Sequence, residues 1–228
     1  MNIRSIAAAV TCALLVACGT VGPGQLATVT NTYTEAAGDV DSSAGGTQYD
    51  VTKLVTRRID NPPFGSYDTL QIEVTFAQDV VLPPPDRPPG IIFSNELTVG
   101  IGLDTDQDPT TGTTLNCPAG NGGNGSWPGN DYYVFESGVP GQARLPNGNF
   151  VVQNEAGTAV GEAVVSVSGK VLTMNISLST LGGDDGIAEV RGWFGNGFFN
   201  YTDNYTDCAP QPARERRHAE VANSVQSV

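Results

Sequence analysis

The sequence predicts an all-β fold, an antiparallel β-sandwich of jelly-roll or immunoglobulin-like appearance with long loops. Three observations predict it. Segment after segment alternates apolar and polar residues, Gly-, Asn- and Pro-rich turns separate the segments, and no helical apolar stripe is sustained between residues 30 and 208. Successive strand side chains point to opposite faces, so strict alternation marks a sheet with one face buried.

The strands are read in order. Tyr49, Val51, Val55 and Ile59 fall on odd positions. Leu70, Ile72, Val74 and Phe76 alternate with Gln71, Glu73 and Thr75, and Leu97, Val99, Ile101 and Leu103 with Thr98, Gly100 and Gly102. Leu172, Met174, Ile176 and Leu178 alternate with Thr173, Asn175 and Ser177. Weaker strand patterns lie near 132–136, 149–154, 162–168, 187–194 and 197–202. Asn147-Gly148 and Ser168-Gly169 read as hairpin turns, and a turn of helix fits Leu178 to Leu181. Two long loops interrupt the pattern: the proline-stiffened stretch from Leu82 to Gly90, and Asn116 to Asn130, which holds Cys117 and Trp127. Long loops in a compact domain are often functional.

The N-terminus has a different character. Arg4 precedes an uncharged run from Ile6 to Ala17. At about 12 residues it is too short for a membrane-spanning helix, which needs about 20, and it suits the apolar region of a secretion signal. It ends in Leu15-Val16-Ala17-Cys18, which resembles the lipobox of bacterial lipoproteins. The resemblance implies that residues 1–17 are removed and that Cys18 carries the lipid, the chain's link to a membrane. Gly19 stands where an Asp would resemble the inner-membrane retention signal, so an outer-membrane anchor is expected in a Gram-negative cell. Residues 18–30 read as a lipidated tether, 31–208 as the β-sandwich domain, and 209–228 as a flexible tail.

Composition narrows the partners. The 228 residues hold 24 acidic against 11 basic side chains, a net charge of −13, which repels phosphate backbones and argues against nucleic acid. Of the four cysteines, Cys12 lies in the leader and Cys18 at the lipid site; Cys117 and Cys208 are left as a pair in an oxidising compartment and are expected to form a disulfide. Closing so long a loop contributes about 4–5 kcal/mol by chain entropy. The sole histidine, His218, falls in the tail. Histidine-based nucleophilic catalysis lacks its base, so a non-catalytic protein is expected. Paired carboxylates, the requirement of a glycan-active enzyme, are too abundant here to discriminate.

The densest motif runs from Leu103 to Gly112, with Asp104, Asp106 and Asp108 alternating directly after a strong strand. Alternating carboxylates in a turn can converge on a hard cation, and Ca²⁺ takes several such oxygens. The motif is not an EF-hand: Pro109 and Leu115 stand where that loop needs Gly and Glu. The alternative is a solvated turn capped by an Asp side chain.

Asp39, Tyr49-Asp50-Val51, the Leu70–Phe76 strand, the Asp104–Gly112 loop, Asn130-Asp131-Tyr132-Tyr133 and Asp207-Cys208-Ala209-Pro210 follow one another in an order that resembles the broad DOMON/CBM9-like superfamily of extracellular β-sandwiches. Members bind sugars, bind haem or serve as accessory domains, and some sugar-binding members carry structural Ca²⁺. The resemblance implies Asp104, Asp106, Asp108 and Asp131 as cation ligands. Haem is not expected, because no His between residues 19 and 208 could serve as an axial ligand; Met174 reads as core. For a sugar, Trp127, Tyr132, Tyr201 and Tyr205 are the aromatic candidates, Trp127 foremost because loops rarely bury a Trp. The expectation is a lipid-anchored envelope binding or accessory domain for a glycan, with a structural envelope protein that contacts other proteins as the alternative.

Overall fold

The computed structural model describes residues 26–35, 37–38, 49–60, 67–85, 95–117, 125–136, 145–196 and 205–210. The leader, Cys18, the proposed tether up to residue 25, the predicted strand at 197–202 and the tail beyond 210 lie outside these residues. The chain forms β1 (Leu26–Thr34), β2 (Val51–Asp60), β3 (Tyr67–Phe76), β4 (Leu97–Asp104), β5 (Thr113–Cys117), β6 (Gly125–Asn130), β7 (Tyr132–Phe135), β8 (Phe150–Asn154), β9 (Ala159–Ser168), β10 (Val171–Ser177), β11 (Glu189–Asn196) and β12 (Tyr205–Ala209). Among the described residues there is no helix. The predicted helical turn at Leu178 to Leu181 is a run of tight turns, with Thr180 N bonded to Ser177 O and Leu181 N to Leu178 O.

The all-β, antiparallel expectation holds, and the layers come from one sheet. Ten strands pair in the order β1-β2-β3-β10-β9-β8-β7-β4-β11-β12, and β5 pairs with β6 apart from them. The sheet curls over a single core until its ends meet. Phe76 of β3 packs edge-on against Phe194 of β11 at 5.5 Å and against Tyr49 at 5.7 Å. Near the same place the Val51 amide of β2 donates to Asp207 Oδ2 of β12 at 2.6 Å, a buried bond. The alternating residues Leu70, Ile72, Val74, Leu97, Val99, Ile101, Leu103, Leu172, Met174 and Ile176 all point into this core, because the period-2 pattern gives every strand one apolar face.

β4 departs from the half-buried reading: both of its faces are buried. Its second face is covered by the β5–β6 hairpin, which closes a smaller apolar cluster of Leu115, Trp127, Trp193 and Cys208. The two glycines of the alternation make room for different neighbours, Gly100 for Trp193 of the paired strand β11 and Gly102 for Asn130 of the hairpin. A Cβ at Gly100 would lie 2.2 Å from the Trp193 ring, and one at Gly102 would lie 2.2 Å from Asn130 Oδ1.

The ladders carry one end of the sheet from strand to strand. Leu26 pairs with Asp60, Asp60 with Tyr67, Thr69 with Ser177, Asn154 with Tyr132, Tyr132 with Leu103 and Asp104 with Glu189. The start of β1 and the end of β4 therefore share one end of the molecule. The curl brings them close: a Cβ on Gly186, just before β11, would meet Arg58 Cγ at 2.7 Å, and Arg58 pairs with Thr28 of β1.

Two boundaries are corrected. Residues 26–30, read as tether, belong to β1, an edge strand whose Thr and Asn residues are mostly exposed and so carry no apolar alternation. Ala209, read as the start of the tail, ends β12 fully buried.

Candidate acidic site at the end of the sheet

Asp104 is the last residue of β4 and faces the hairpin side. Because the hairpin covers that side, Asp104 is fully buried, at 0 % exposure. Its Oδ2 receives Arg191 at 3.4 Å. Its Oδ1 is buried and has no hydrogen-bond partner among the described residues. Arg191 is itself fixed by the Pro128 carbonyl at 2.5 Å and by an ion pair with Glu189.

Two further carboxylates approach. The Asp131 amide donates to Leu103 O at 2.9 Å, which seats the β6–β7 junction against the end of β4. Asp131 Oδ2 then accepts from both the amide and the hydroxyl of Thr105 at 2.8 Å. Asp106 is exposed on the turn; its Oδ1 accepts from the Asp108 amide and its Oδ2 from Thr111 Oγ1, both at 2.9 Å. One oxygen from each of Asp104, Asp106 and Asp131 lies within 4.8 Å of the others. With Ca²⁺–oxygen bonds of about 2.3–2.6 Å, ligands around one ion sit about 3–5 Å apart, so three oxygens at this spacing fit one ion. Each carboxylate oxygen has two lone pairs, and the hydrogen bonds to Asp106 and Asp131 leave room for a metal.

The turn is shaped for this approach. Gln107 adopts φ 57°, a left-handed conformation uncommon outside glycine. Gly129 has φ 88°, and a Cβ there would sit 2.7 Å from Pro109 Cα, so only glycine lets the two segments cross.

The charges are crowded. Burial pushes the Asp104 carboxyl above its ordinary pKa; Arg191 pulls it down, and the charges of Asp131, Asp106 and Glu189 push it up again. Burial likewise raises Asp184 in the loop before β11, with Gly186 opposing through a hydrogen bond and Asp185 and Asp131 adding repulsion.

The sequence-predicted residues separate. Asp104, Asp106 and Asp131 come together, whereas Asp108 turns into its own loop. Its Oδ1 accepts from the Thr110 amide at 2.9 Å and hydroxyl at 2.6 Å, bonds that hold its pKa below the ordinary value. Asp108 therefore caps its own turn, as Asp106 also does through the Asp108 amide and the Thr111 hydroxyl, but only Asp106 of the two also approaches Asp104 and Asp131. Trp127 is corrected: it is 5 % exposed, packed in the hairpin cluster rather than offered to a ligand. Tyr132 is half-buried against the main core. Tyr201 and the Tyr205 side chain lie outside the described residues. Cys208 is buried and disulfide-bonded; the Cys117 side chain lies outside the described residues, so its pairing stays a proposal.

Sequence reading missed Arg191, Glu189, Asn130 and Asp184 as neighbours of the site. Gly182-Gly183-Asp184-Asp185-Gly186 is a visible acidic turn, but only the pairing of β4 with β11 places it here. It also missed an aromatic row on the hairpin side of the sheet, half-buried at Tyr133 and Phe135 and buried at Trp193. Tyr133 and Phe135 stack at 6.0 Å and 12°, and Trp193 continues the row at 6.5 Å from Phe135.

Fold and site together define a class: an all-β module with a carboxylate cluster at one end of its sheet. No protein-family profile, no curated protein and no solved structure matches the chain.

Proposed function

We propose that this chain is a lipid-anchored, non-catalytic β-sandwich module of the bacterial cell envelope that binds a hard divalent cation, Ca²⁺, through Asp104, Asp106 and Asp131. The observation that carries the cation is the convergence of three carboxylates around a fully buried Asp104 whose Oδ1 lacks a partner. A buried, unpaired carboxylate oxygen is costly, and a bound cation offsets both that cost and the mutual repulsion. Anchoring rests on the Cys18 motif. The ion links the end of β4, its turn and the β6–β7 junction, so its role is to fix the loops that shape this end of the molecule.

An enzyme is the weaker reading. Glycosidases hold two carboxyl groups apart across a cleft to flank a bond, whereas here three share one point. A carbohydrate remains the ligand class we favour for the module as a whole. The half-buried Tyr133–Phe135 row replaces Trp127 as its candidate stacking surface, because sugar CH faces pack on aromatic rings. Melting the protein with Ca²⁺ and then with chelator tests the cation: the melting temperature should fall on chelation and recover on adding Ca²⁺ back, by linkage. An unchanged melt would overturn the reading and leave a charged turn.

A further inference from the structure

The acidic cluster and the start of β1 share one end of the molecule, and this places the cluster relative to the anchor. From Cys18 to Leu26 the chain advances eight residues, a reach of at most about 28 Å when fully extended. A ten-residue strand such as β3 spans about 33 Å. A lipid on Cys18 therefore keeps the Leu26 end within about 28 Å of the bilayer, somewhat less than one strand length. Yet the near end carries Asp104, Asp106, Asp131, Asp184 and Asp185, which repel anionic headgroups. The cluster itself resolves the conflict. Asp104 is buried with one oxygen unpartnered, while Asp106 is exposed and Asp131 half-exposed, so the cluster meets solvent on the side of Asp106 and Asp131. Ca²⁺ takes six to eight oxygens, and three from protein leave several places for a ligand from outside.

We propose that this end docks on the phosphate headgroups of the membrane holding Cys18, with a divalent cation bridging Asp104, Asp106 and Asp131 to lipid phosphate. The proposal rests on the anchor and cation readings above and deepens them. It sets the orientation of the module: the β9–β10 hairpin at Gly169-Lys170 points away from the bilayer and the β8–β9 turn toward it.

The test reconstitutes the lipidated chain in vesicles of phosphatidylcholine with phosphatidylglycerol, or of phosphate-free galactolipid, each with an acceptor dye at the surface. Donor dyes go on Ala156→Cys in the near turn or Ser168→Cys in the far hairpin, both exposed. In Ca²⁺ and phospholipid, energy transfer from position 156 should exceed that from 168 several-fold. The excess should collapse with chelator, in galactolipid, or in Asp106→Asn. Equal transfer from both positions, or an excess indifferent to Ca²⁺ and to lipid phosphate, would overturn docking if the Ca²⁺-induced rise in melting temperature persists. Loss of that rise in the unmodified protein would overturn the cation reading and docking with it. A chain that washes off every vesicle would overturn the anchor.

Discussion

Gly102→Ala places a methyl carbon 2.2 Å from Asn130 Oδ1 and 2.6 Å from its Cγ, so the amide must leave its seat. That amide's Nδ2 donates to the Trp127 carbonyl at 2.6 Å and to the Thr113 carbonyl at 3.3 Å. Each bond contributes about 0.5–1.5 kcal/mol, and forcing a methyl into filled space costs about 1–3 kcal/mol. Replacing a strand glycine by alanine returns only about 0.5–1 kcal/mol, so the losses win by about 1–5 kcal/mol. For a domain of this size that lowers the melting temperature by roughly 2–20 °C. Asn130 adjoins Asp131, so the same shift draws Asp131 away from Asp104. The rise in melting temperature on adding Ca²⁺ should shrink as well. Calorimetric melts of wild type and variant, with Ca²⁺ and with chelator, read both effects. A variant that melts with the wild type and keeps its full Ca²⁺ increment would refute the seating of the hairpin on β4.

In chelator, Asp104 binds its proton more tightly folded than unfolded. Its contribution is therefore present below the unfolded carboxylate range and lost as pH rises through the folded pKa. Asp108 and Glu162 have lowered values and run oppositely, losing their contribution as pH falls. The comparison of wild type with Asp104→Asn isolates the first effect: the wild type's relative stability should decline from pH 4 toward neutrality in chelator, and an opposite slope would contradict the assignment. Peptide mapping under non-reducing conditions should recover Cys117 joined to Cys208, and reduction should cost about 2–5 kcal/mol; free thiol at Cys117 would contradict the pairing. Trp127→Ala should cost about 3–5 kcal/mol by emptying the hairpin cluster, and a fully stable variant would show that the ring is not packed there.

The strong strands were legible because each has one apolar face turned to a single core: β3, β4 and β10 match the alternation at Leu70–Phe76, Leu97–Leu103 and Leu172–Ile176. The Ser168-Gly169 turn was legible too, as Gly169 takes φ 56° between two paired strands. β1 was not, because an exposed edge strand is held by its ladder to β2 and needs no apolar face. The β5–β6 hairpin was not, because it holds Gly125, Pro128 and Gly129 and is fixed by what it covers. Its Asn130 fits the space left by Gly102 across the interface, which no local pattern reveals. At the site, the Asp alternation marked the turn correctly but assigned its members by spacing. The structure drops Asp108 and keeps Asp131, which the family resemblance had implied: the Thr110 bonds hold Asp108 in its own exposed loop, while the bond from Asp131 N to Leu103 O brings a residue distant in sequence to the site.

Isothermal titration of Ca²⁺ into the purified protein, with Asp104→Asn and Asp108→Asn beside the wild type, tests the central claim most directly. Asp104 supplies the buried unpartnered oxygen, whereas Asp108 caps its own turn through an oxygen that Asn retains. The wild type should bind at one site, Asp104→Asn at least about tenfold more weakly, a loss of about 1.4 kcal/mol or more, and Asp108→Asn as the wild type does. No binding by the wild type, or equal loss in the two variants, would contradict it.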